Sequence, residues 1–334
     1  MKSPITGKEM PLRQEKGAFD FRKEQFEIVY HYYECEESKE RFESEELTQL
    51  NLSQVYNQYR KRHNLPFPEE IKELRETYNL SAAKMSEVLG FGINVYRSYE
   101  QGEIPNSSNA KLIQLTQDPR EFKKLVSLSS SLSEKEKTKI NQRINELLLE
   151  EVEFESFDVK DYLMGQHSPD ETTGYRLSNL EKFTEMVVFF TYEAQPWKTK
   201  MNKLLFYADF LHFKRCGVSI SGTQYRAIDM GPVPNNYQSL FEYIANKDDV
   251  DVYHTQFENG GVGEQFKPHH ERVFDPELFD EKELETLQIV AKKFKKAKTQ
   301  EIVNISHQEK AWKDNFSNGK NLINYLYAFE LITI

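Results

Sequence analysis

The sequence predicts a mainly α-helical α+β protein with three parts: a small β-rich unit at the N-terminus, a five-helix domain, and a helical C-terminal domain that carries one β-hairpin. Helical spacing of apolar residues covers most of the 334-residue chain. Strict alternation of apolar and polar residues occurs near the N-terminus, and Asn259-Gly260-Gly261 separates two strand-like runs. A few short strands among many helices are typical of this fold class.

The composition predicts several folded domains rather than a disordered chain. Mean hydropathy is -0.73 and 29% of the residues are charged, yet the chain has 23 Phe and 18 Tyr with which to build cores. No run of about 18 apolar residues occurs, and the first residues lack the apolar core of a signal peptide. The two cysteines, Cys35 and Cys216, are too few for a disulfide framework. We therefore expect a cytoplasmic protein with no membrane partner.

Residues 1–64 are predicted to form the β-rich unit and one helix. Apolar residues alternate strictly with their neighbours from Phe26 to Tyr32, as on one half-buried strand face, and Gly17 is the expected turn between two strands. A helix is predicted from Ser44, which caps it, to about His63, with proline at position 66 to end it.

Four positions near the N-terminus have the spacing of a paired zinc knuckle, Ser3-x-x-Thr6 and Cys35-x-x-Ser38. Only one of the four is a thiol, and hydroxyls are poor zinc ligands at neutral pH. His31 and His63 lie nearby in the sequence, but single histidines of this kind are more often core or surface residues. We therefore expect neither a metal ion nor another cofactor.

The stretch from Leu80 to Gly102 predicts two short helices around a tight turn. Ser81 is a good N-cap for the first helix, and Gly90 supplies the positive φ that ends it. On the second helix Tyr96 and Tyr99 share an inward face. The opposite face is polar, with Asn94, Arg97, Ser98 and Gln101, and Lys84 lies on the first helix. This pattern predicts a helix-turn-helix with a polar reading face; a generic helical hairpin is the alternative.

Residues 65–130, which include the flanking helices, form the predicted five-helix domain, and its expected partner is double-stranded operator DNA. We expect Asn94 and Arg97 to contact base edges, and Ser98, Lys84 and Gln101 to lie nearer the DNA backbone. Residues 1–130 hold 19 Lys or Arg against 21 Asp or Glu, so one copy has no excess of positive charge. We therefore expect a homodimer, which doubles the phosphate contacts.

Residues 131–176 are predicted to connect two domains. A serine-rich hinge at 127–133 precedes an amphipathic helix from Glu134 to Glu151. The segment 131–170 is acidic, with 5 Lys or Arg against 10 Asp or Glu, and turn formers at 164–176 mark the main domain boundary.

Residues 177–334 are predicted to pack around one core helix. It runs from Trp197 to Cys216 and has a wide apolar band ended by Gly217. The strand-like runs Val250–Phe257 and Glu264–Val273 predict the hairpin. Other helices are predicted at Leu177–Tyr192, Asn235–Asn246, Glu281–Lys298, Gln300–Asn315 and Lys320–Leu331.

No catalytic arrangement stands out, since the sequence lacks the nucleophile-elbow, H-E-x-x-H, P-loop and dinucleotide-binding patterns. We therefore expect no enzymatic activity. Cys216 ends an apolar helix and is expected to pack rather than react. The lysine-rich run 292–298 suits the solvated end of a helix better than a phosphate site, and His269 and His270, as strand neighbours, should face opposite sides.

Residues 1–126 resemble the MqsA/YgiT type of antitoxin, in which a zinc-binding unit precedes an Xre-type helix-turn-helix. The resemblance rests on the knuckle spacing, on Arg41-Phe42 after the second knuckle, and on G-F-G-I-N-V-Y-R-S-Y-E-Q-G at 90–102. It implies that Asn94 reads a base at the start of the recognition helix. The family has an arginine where this chain has Ser98.

The zinc-binding unit departs further from that family. Ser3, Thr6 and Ser38 stand where the family has cysteines. If a metal does not hold the unit, its aromatic strand alone is expected to do so.

Residues 177–334 resemble the Panacea domain, also called the SocA-like antitoxin domain. The resemblance rests on K-L-L-F-Y-A-D-F at 203–210, G-V-S-I-S-G-T-Q-Y-R-A at 217–227 and M-G-P-V-P at 230–234, in that order. It implies a non-enzymatic module that binds and neutralises a protein toxin, in some members one that blocks translation. One relative acts instead as a protease adaptor that delivers its toxin for degradation.

Together the two resemblances predict an antitoxin. Its C-terminal domain would bind a protein toxin, with Trp197, Tyr207 and Tyr225 as candidate contacts, and its N-terminal half would repress the shared operon. The alternatives are a transcription regulator with a C-terminal sensing or oligomerisation domain, and a protease adaptor for a toxin.

Overall fold

The computed structural model describes residues 1–153, 159–258, 260–317, 319 and 321–334. Three predicted features fall partly outside these residues: the connector at 154–158, the Asn-Gly-Gly turn at Asn259, and the start of the last predicted helix at Lys320. In the described part, helices dominate and the strands form small antiparallel sheets. The predicted α+β class is therefore confirmed.

The helices follow one another along most of the chain. In the N-terminal half they are α1 (Glu45–His63), α2 (Pro68–Thr77), α3 (Ala82–Val88), α4 (Val95–Glu100), α5 (Ser107–Leu115), α6 (Pro119–Leu128) and α7 (Glu134–Glu153). After them come α8 (Val159–Met164), α9 (Leu180–Ala194), α10 (Lys198–Cys216), α11 (Tyr237–Asn246), α12 (Glu281–Phe294), α13 (Thr299–Ser306) and α14 (Lys310–Ser317). Pro276–Leu278 and Tyr325–Glu330 are 3₁₀ helices.

The strands pair antiparallel as β1-β2-β3, β4-β5 and β6-β7. Their bounds are β1 (Leu12–Phe21), β2 (Glu24–Glu34), β3 (Arg41–Phe42), β4 (Tyr225–Ile228), β5 (Gly231–Pro234), β6 (Val250–Gln256) and β7 (Val262–Pro268).

The chain folds into two compact units. Unit 1 comprises residues 1–55 and 159–334, and unit 2 comprises residues 56–158. The sequence predicted a first boundary after residue 64, at the end of α1, whereas the units divide within α1, after Val55. The N-terminal strands therefore share a unit with the C-terminal helices.

The β1–β2 hairpin turns at Arg22-Lys23. Both residues have positive φ, 49° and 69°, which is the backbone geometry of a two-residue hairpin turn of the primed type. Gly17 lies inside β1, opposite Ile28, so its prediction as the turn was wrong. Glycine favours such a turn but is not required for it. Because Phe21 pairs with Glu24, the turn falls at Arg22-Lys23.

On the predicted inward face of β2, Phe26, Ile28 and Tyr32 are at most 5% exposed, whereas Tyr30 is half-buried. Two amide side chains of α1 pair with the edge of this strand. Asn51 accepts from His31 N and donates to His31 O, both at 2.9 Å, and Gln54 makes the same two bonds to Val29 at 2.9 and 2.8 Å. These side chains replace a neighbouring strand, so this part of the edge is closed.

Unit 1 is built around α10, which is buried on all sides from Lys200 to Phe213, as predicted for the core helix. Gly217 ends α10 with a φ of 76°. The N-terminal sheet belongs to the same core, since Gln14 Nε2 donates to Phe329 O at 3.0 Å and the His31 and Phe329 ring centroids lie 5.0 Å apart.

Unit 2 has one core, which α7 shares with the predicted five-helix domain. Ile140 and Ile144 of α7 belong to the same buried cluster as Ile71, Met85 and Tyr96. The sequence predicted this helix as a connector because its outer face is strongly charged. Its apolar stripe packs on α6, so α7 is a further helix of the unit 2 core.

Two C-terminal helices differ from their predictions. The predicted helix Gln300–Asn315 divides into α13 and α14, and within the described residues 321–331 of the last predicted helix only the 3₁₀ helix Tyr325–Glu330 forms. Glu309 lies at the division, and its buried carboxylate accepts from Tyr207 Oη at 3.2 Å and Ile332 N at 3.0 Å. Those tertiary bonds favour a break that helical periodicity does not reveal.

Candidate functional site

The first candidate surface lies in unit 2, on α3 and α4. Ser81 Oγ accepts from Lys84 N at 3.2 Å and caps α3, and Gly90 follows this helix with a φ of 70°. Tyr96 joins α4 to its neighbours, because its N donates to Ser86 Oγ at 3.0 Å and its Oη donates to Ile71 O at 2.8 Å. Hydrogen bonds as well as packing therefore fix α4 against α2 and α3.

The polar residues predicted to read DNA share the outer side of α4. Asn94, Arg97 and Gln101 are exposed and Ser98 is half-buried, whereas Tyr96 and Tyr99 are 0% and 5% exposed. The spacing of three, four and seven residues from Asn94 puts the polar side chains on one helix face. The helix itself has six residues, and Asn94 is the residue at its N-cap.

Lys84 is engaged within unit 2. Its Nζ donates to Glu87 Oε2 at 2.6 Å and to Glu136 Oε1, on α7, at 2.7 Å. The bond from Lys84 holds the pKa of Glu136 down at about 2. A cavity of about 460 Å³ opens beside this pair, and Lys139 and Arg143 also line it. The structure therefore sets Lys84 apart from the polar face of α4.

The second candidate site is in unit 1, where two of the C-terminal motifs meet at Asp209. Its fully buried carboxylate accepts hydrogen bonds from Ile220 N at 2.8 Å, Ser221 N at 2.9 Å, Ser221 Oγ at 2.6 Å and Tyr225 Oη at 2.8 Å. Burial raises the pKa of Asp209. The carboxylate thus binds the segment after α10 to the helix itself.

Lys203 joins α10 to the third motif. Its buried Nζ donates to Pro232 O at 2.9 Å, and burial lowers its pKa to about 7. Gly231 has a φ of 96°, and a Cβ there would lie 2.6 Å from Lys203 Cε and 2.5 Å from Ser306 Oγ. Only glycine fits at this close approach of β5 to α10.

The three residues predicted to contact a toxin lie in different surroundings. Tyr207 and Tyr225 are 0% exposed, and their hydroxyls donate to Glu309 and Asp209. A partner protein could reach them only if this core opened. Trp197, just before α10, is half-buried and reaches the surface. Aromatic residues serve cores and interfaces alike, so the sequence did not separate these cases.

Exposed Tyr253 and Phe257 of the β6–β7 hairpin and half-buried Trp197, which pairs with Gln265 of β7, form what we call the hairpin aromatic surface. Tyr253 and Phe257 are 50% and 44% exposed, and the Phe257 ring centroid lies 5.4 Å from that of Trp197. Gly263 leaves room for the Trp197 and Phe257 rings, because a Cβ at this position would lie 2.7 Å from each ring. Tyr253 and Phe257 were not among the contacts predicted from the sequence, although their spacing of four predicts one strand face.

His269, His270 and Glu271 form a group whose metal-ligating atoms lie within 4.8 Å of one another. The prediction that the two histidines face opposite sides of a strand was wrong, because β7 ends at Pro268. His269 Nδ1 lies 2.9 Å from Asp251 Oδ1. His270 and Glu271 are exposed.

The lysines of the run at 292–298 are exposed, as expected for the end of a helix, although α12 already ends at Phe294. Cys216 is half-buried, and burial raises the pKa of its thiol. A higher pKa leaves less thiolate at neutral pH, which disfavours reaction.

Within the described residues, every helix is too short or too polar to cross a lipid bilayer. No curated protein matches the chain. Residues 201–313 match the family described as Antitoxin SocA-like, Panacea domain. The match begins in α10, includes Asp209 and the β6–β7 hairpin, and ends in α14. The C-terminal resemblance is therefore confirmed over residues 201–313, which carry a SocA-like Panacea domain.

Proposed function

We propose that this protein is an antitoxin that neutralises a protein toxin by direct binding through its C-terminal part. The match of residues 201–313 to the SocA-like antitoxin domain carries this proposal. The arrangement of the matched region supports a binding role. Asp209, Lys203 and Glu309 are buried and make hydrogen bonds within the protein itself, so these polar groups are not available to act on another molecule.

The hairpin aromatic surface is the toxin contact that we propose. Exposed aromatic side chains bury a large area on binding and have few torsion angles to immobilise. A charged group lies beside these rings, since Lys267 Nζ lies 4.1 Å from the Tyr253 ring centroid. An apolar centre with a polar rim is the usual anatomy of a protein interface.

Co-expression with the small open reading frame next to this gene tests the proposal. The neighbouring product alone should arrest growth, the full-length chain should relieve the arrest, and the two proteins should copurify. The proposal is wrong if the neighbour is harmless alone, or if arrest persists while the folded chain is present.

We propose a DNA-binding role for unit 2, which would repress the toxin's operon through a helix-turn-helix formed by α3 and α4. Asn94 and Arg97 would contact base edges, with Ser98 and Gln101 nearer the backbone. The exposed polar side of α4 supports this role. A homodimer would double the phosphate contacts, and Lys84 would join them where its pair with Glu136 opens.

The same polar side of α4 also favours a second candidate, a transcription regulator whose C-terminal part senses a ligand or oligomerises. Such a regulator would shift operator DNA but would leave the neighbour's toxicity unchanged. A protease adaptor would instead lower the amount of toxin in the cell. Immunoblotting of the toxin during co-expression separates an adaptor from a neutralising complex.

A further inference from the structure

Two loops near the N-terminus, Ser3–Lys8 and Cys35–Glu40, share one backbone pattern. In each loop the amide of the first residue donates to the carbonyl of the sixth, and the amide of the fifth donates to the carbonyl of the first. The two distances are 2.8 and 2.9 Å in Ser3–Lys8, and 2.9 and 2.8 Å in Cys35–Glu40. The fifth residue has positive φ in both, 71° at Gly7 and 59° at Lys39. The loops therefore correspond residue by residue.

Their side chains correspond as well. The hydroxyl of the fourth residue accepts from the amide of the sixth, at 3.5 Å for Thr6 and 3.4 Å for Ser38. The side chain of the first residue accepts from the amide of the fourth: Ser3 Oγ does so at 3.3 Å, and the Cys35 sulfur accepts from Ser38 N. The first and fourth positions are those that carry the ligands in a metal knuckle.

The four side chains at these positions meet at the Cys35 sulfur. Ser3 Oγ donates to Sγ at 3.3 Å, Thr6 Oγ1 lies 3.7 Å from Sγ, and Ser38 adds a hydroxyl bond. Cys35 and Ser3 are 2% and 3% exposed. Lys8 and Glu37 form an ion pair that links the two loops. The bond from Ser3, followed by those from Ser38, lowers the pKa of Cys35 to about 6.

These distances suit a metal knuckle, but the atoms do not. Ligands about 2.3 Å from a tetrahedral zinc ion lie roughly 3.8 Å from one another, close to the separations of Thr6 and Ser3 from the sulfur. Structural zinc sites use cysteine and histidine ligands, whereas three of these four positions carry hydroxyls. The donor set therefore disagrees with the zinc site that the MqsA/YgiT-type resemblance implies.

We propose that the two loops are a metal-free knuckle, in which hydrogen bonds from Ser3, Thr6 and Ser38 to the Cys35 sulfur replace the bonds to a metal ion. In this arrangement the N-terminal unit is held by these loops as well as by its aromatic strand, whereas the sequence predicts that the strand alone holds it. The loops would regain a metal ion if the three hydroxyl residues became cysteines. This inference is independent of the proposed antitoxin function.

The full-length variant Ser3→Cys, Thr6→Cys, Ser38→Cys tests the geometry by gain of binding. After reduction and titration with Co²⁺, it should bind one ion per chain with the absorption of a tetrahedral cobalt thiolate, and Zn²⁺ should displace it. The matched control carries Glu37→Cys in place of Ser38→Cys and should not show that spectrum. The proposal is overturned if the first variant binds no ion, if the control binds equally, or if the native chain binds zinc stoichiometrically.

Cys35→Ala tests the hydrogen bonds in the native sequence, and Cys216→Ala is its control. Amide exchange in residues 3–8 should become about tenfold faster in Cys35→Ala and stay unchanged in the control, because the Ser3 and Thr6 hydroxyls, which accept from Thr6 N and Lys8 N, would lose their contact with the sulfur. Unchanged exchange at 3–8 in Cys35→Ala would show that the sulfur does not hold the loops.

Discussion

Lys84 Nζ lies 2.7 Å from Glu136 Oε1, so an ion pair joins α3, which the sequence assigns to DNA binding, to α7, which it assigns to a connector. Glu87 Oε2 accepts a second hydrogen bond from Lys84 Nζ at 2.6 Å. A phosphate that approaches Lys84 must therefore compete with two carboxylates.

Glu136→Gln should strengthen DNA binding, because it removes one of the two charges that hold Lys84. A solvent-screened ion pair of this kind contributes little, so we expect roughly a twofold gain in affinity at low salt and a steeper dependence on salt. Fluorescence anisotropy with the upstream DNA of the gene measures both. Glu134, 91% exposed, provides the control Glu134→Gln. Equal effects of the two changes would show that Lys84 stays away from the DNA.

The double variant Asn94→Ala, Arg97→Ala should lose the operator shift while it keeps its fold, because both side chains are exposed. Each base contact that is removed costs about 1–3 kcal/mol. An electrophoretic shift assay measures the loss, and circular dichroism checks the fold. Lys111→Ala, an exposed change on α5, should affect binding much less. If the double variant binds as the native chain does, the reading face has been misassigned.

Tyr253→Ser with Phe257→Ser should abolish toxin relief, because both changes fall on the hairpin aromatic surface. Aromatic residues at the centre of an interface often contribute about 2 kcal/mol each, so affinity should fall at least a hundredfold. Growth relief and calorimetric titration with the toxin measure the effect. The control is Val273→Ser, which alters a residue that is 76% exposed in unit 1. Full relief by the double variant would exclude this surface.

Asp209→Asn should destabilise unit 1, because an amide nitrogen would face donors that now bond a carboxylate oxygen. Loss of such charge-assisted bonds in a buried site costs about 3 kcal/mol. Urea denaturation measures the change in the free energy of unfolding. Asp248→Asn is the control, since Asp248 is exposed and asparagine tolerates its φ of 58°. A cost below that of the control variant would show that the four bonds are unimportant.

Lys203→Met should stabilise the protein near neutral pH and lose this advantage as pH rises. The folded pKa of Lys203 is about 7 against an ordinary value of 10.5, so between these values the unfolded chain binds more protons. The stability of the native chain therefore rises with pH relative to the variant, by roughly 3 kcal/mol from pH 7 to pH 10. Urea denaturation at several pH values measures the slope. A stability difference that stays constant with pH would contradict the burial of a neutral amine.

Local rules were enough to predict several elements of this fold. Ser81 caps α3 and Gly217 ends α10, as their side-chain chemistry and backbone freedom predict. The alternation in β2 placed Phe26, Ile28 and Tyr32 on a buried face, and the apolar band of α10 identified it as a core helix. The SocA-like resemblance over residues 201–313 was also visible in three short motifs, since such motifs are read along the chain.

The remaining features depend on residues that are far apart in the sequence. Glu309, between α13 and α14, bonds Tyr207 and Ile332. Burial separates Tyr207 and Tyr225 from the exposed Tyr253 and Phe257, and a pattern of aromatic residues does not report burial.

By itself, the sequence determined which faces are apolar, where helices can begin and end, and the knuckle spacing of Ser3-x-x-Thr6 and Cys35-x-x-Ser38. The tertiary structure alone decided which residues those apolar faces pack against. Only there do Ser3 and Thr6 reach the sulfur of Cys35, about thirty residues away along the chain, and only there does Glu136 reach Lys84. Periodicity describes neighbours along the chain, whereas hydrogen bonds and ion pairs between distant residues depend on how the elements pack.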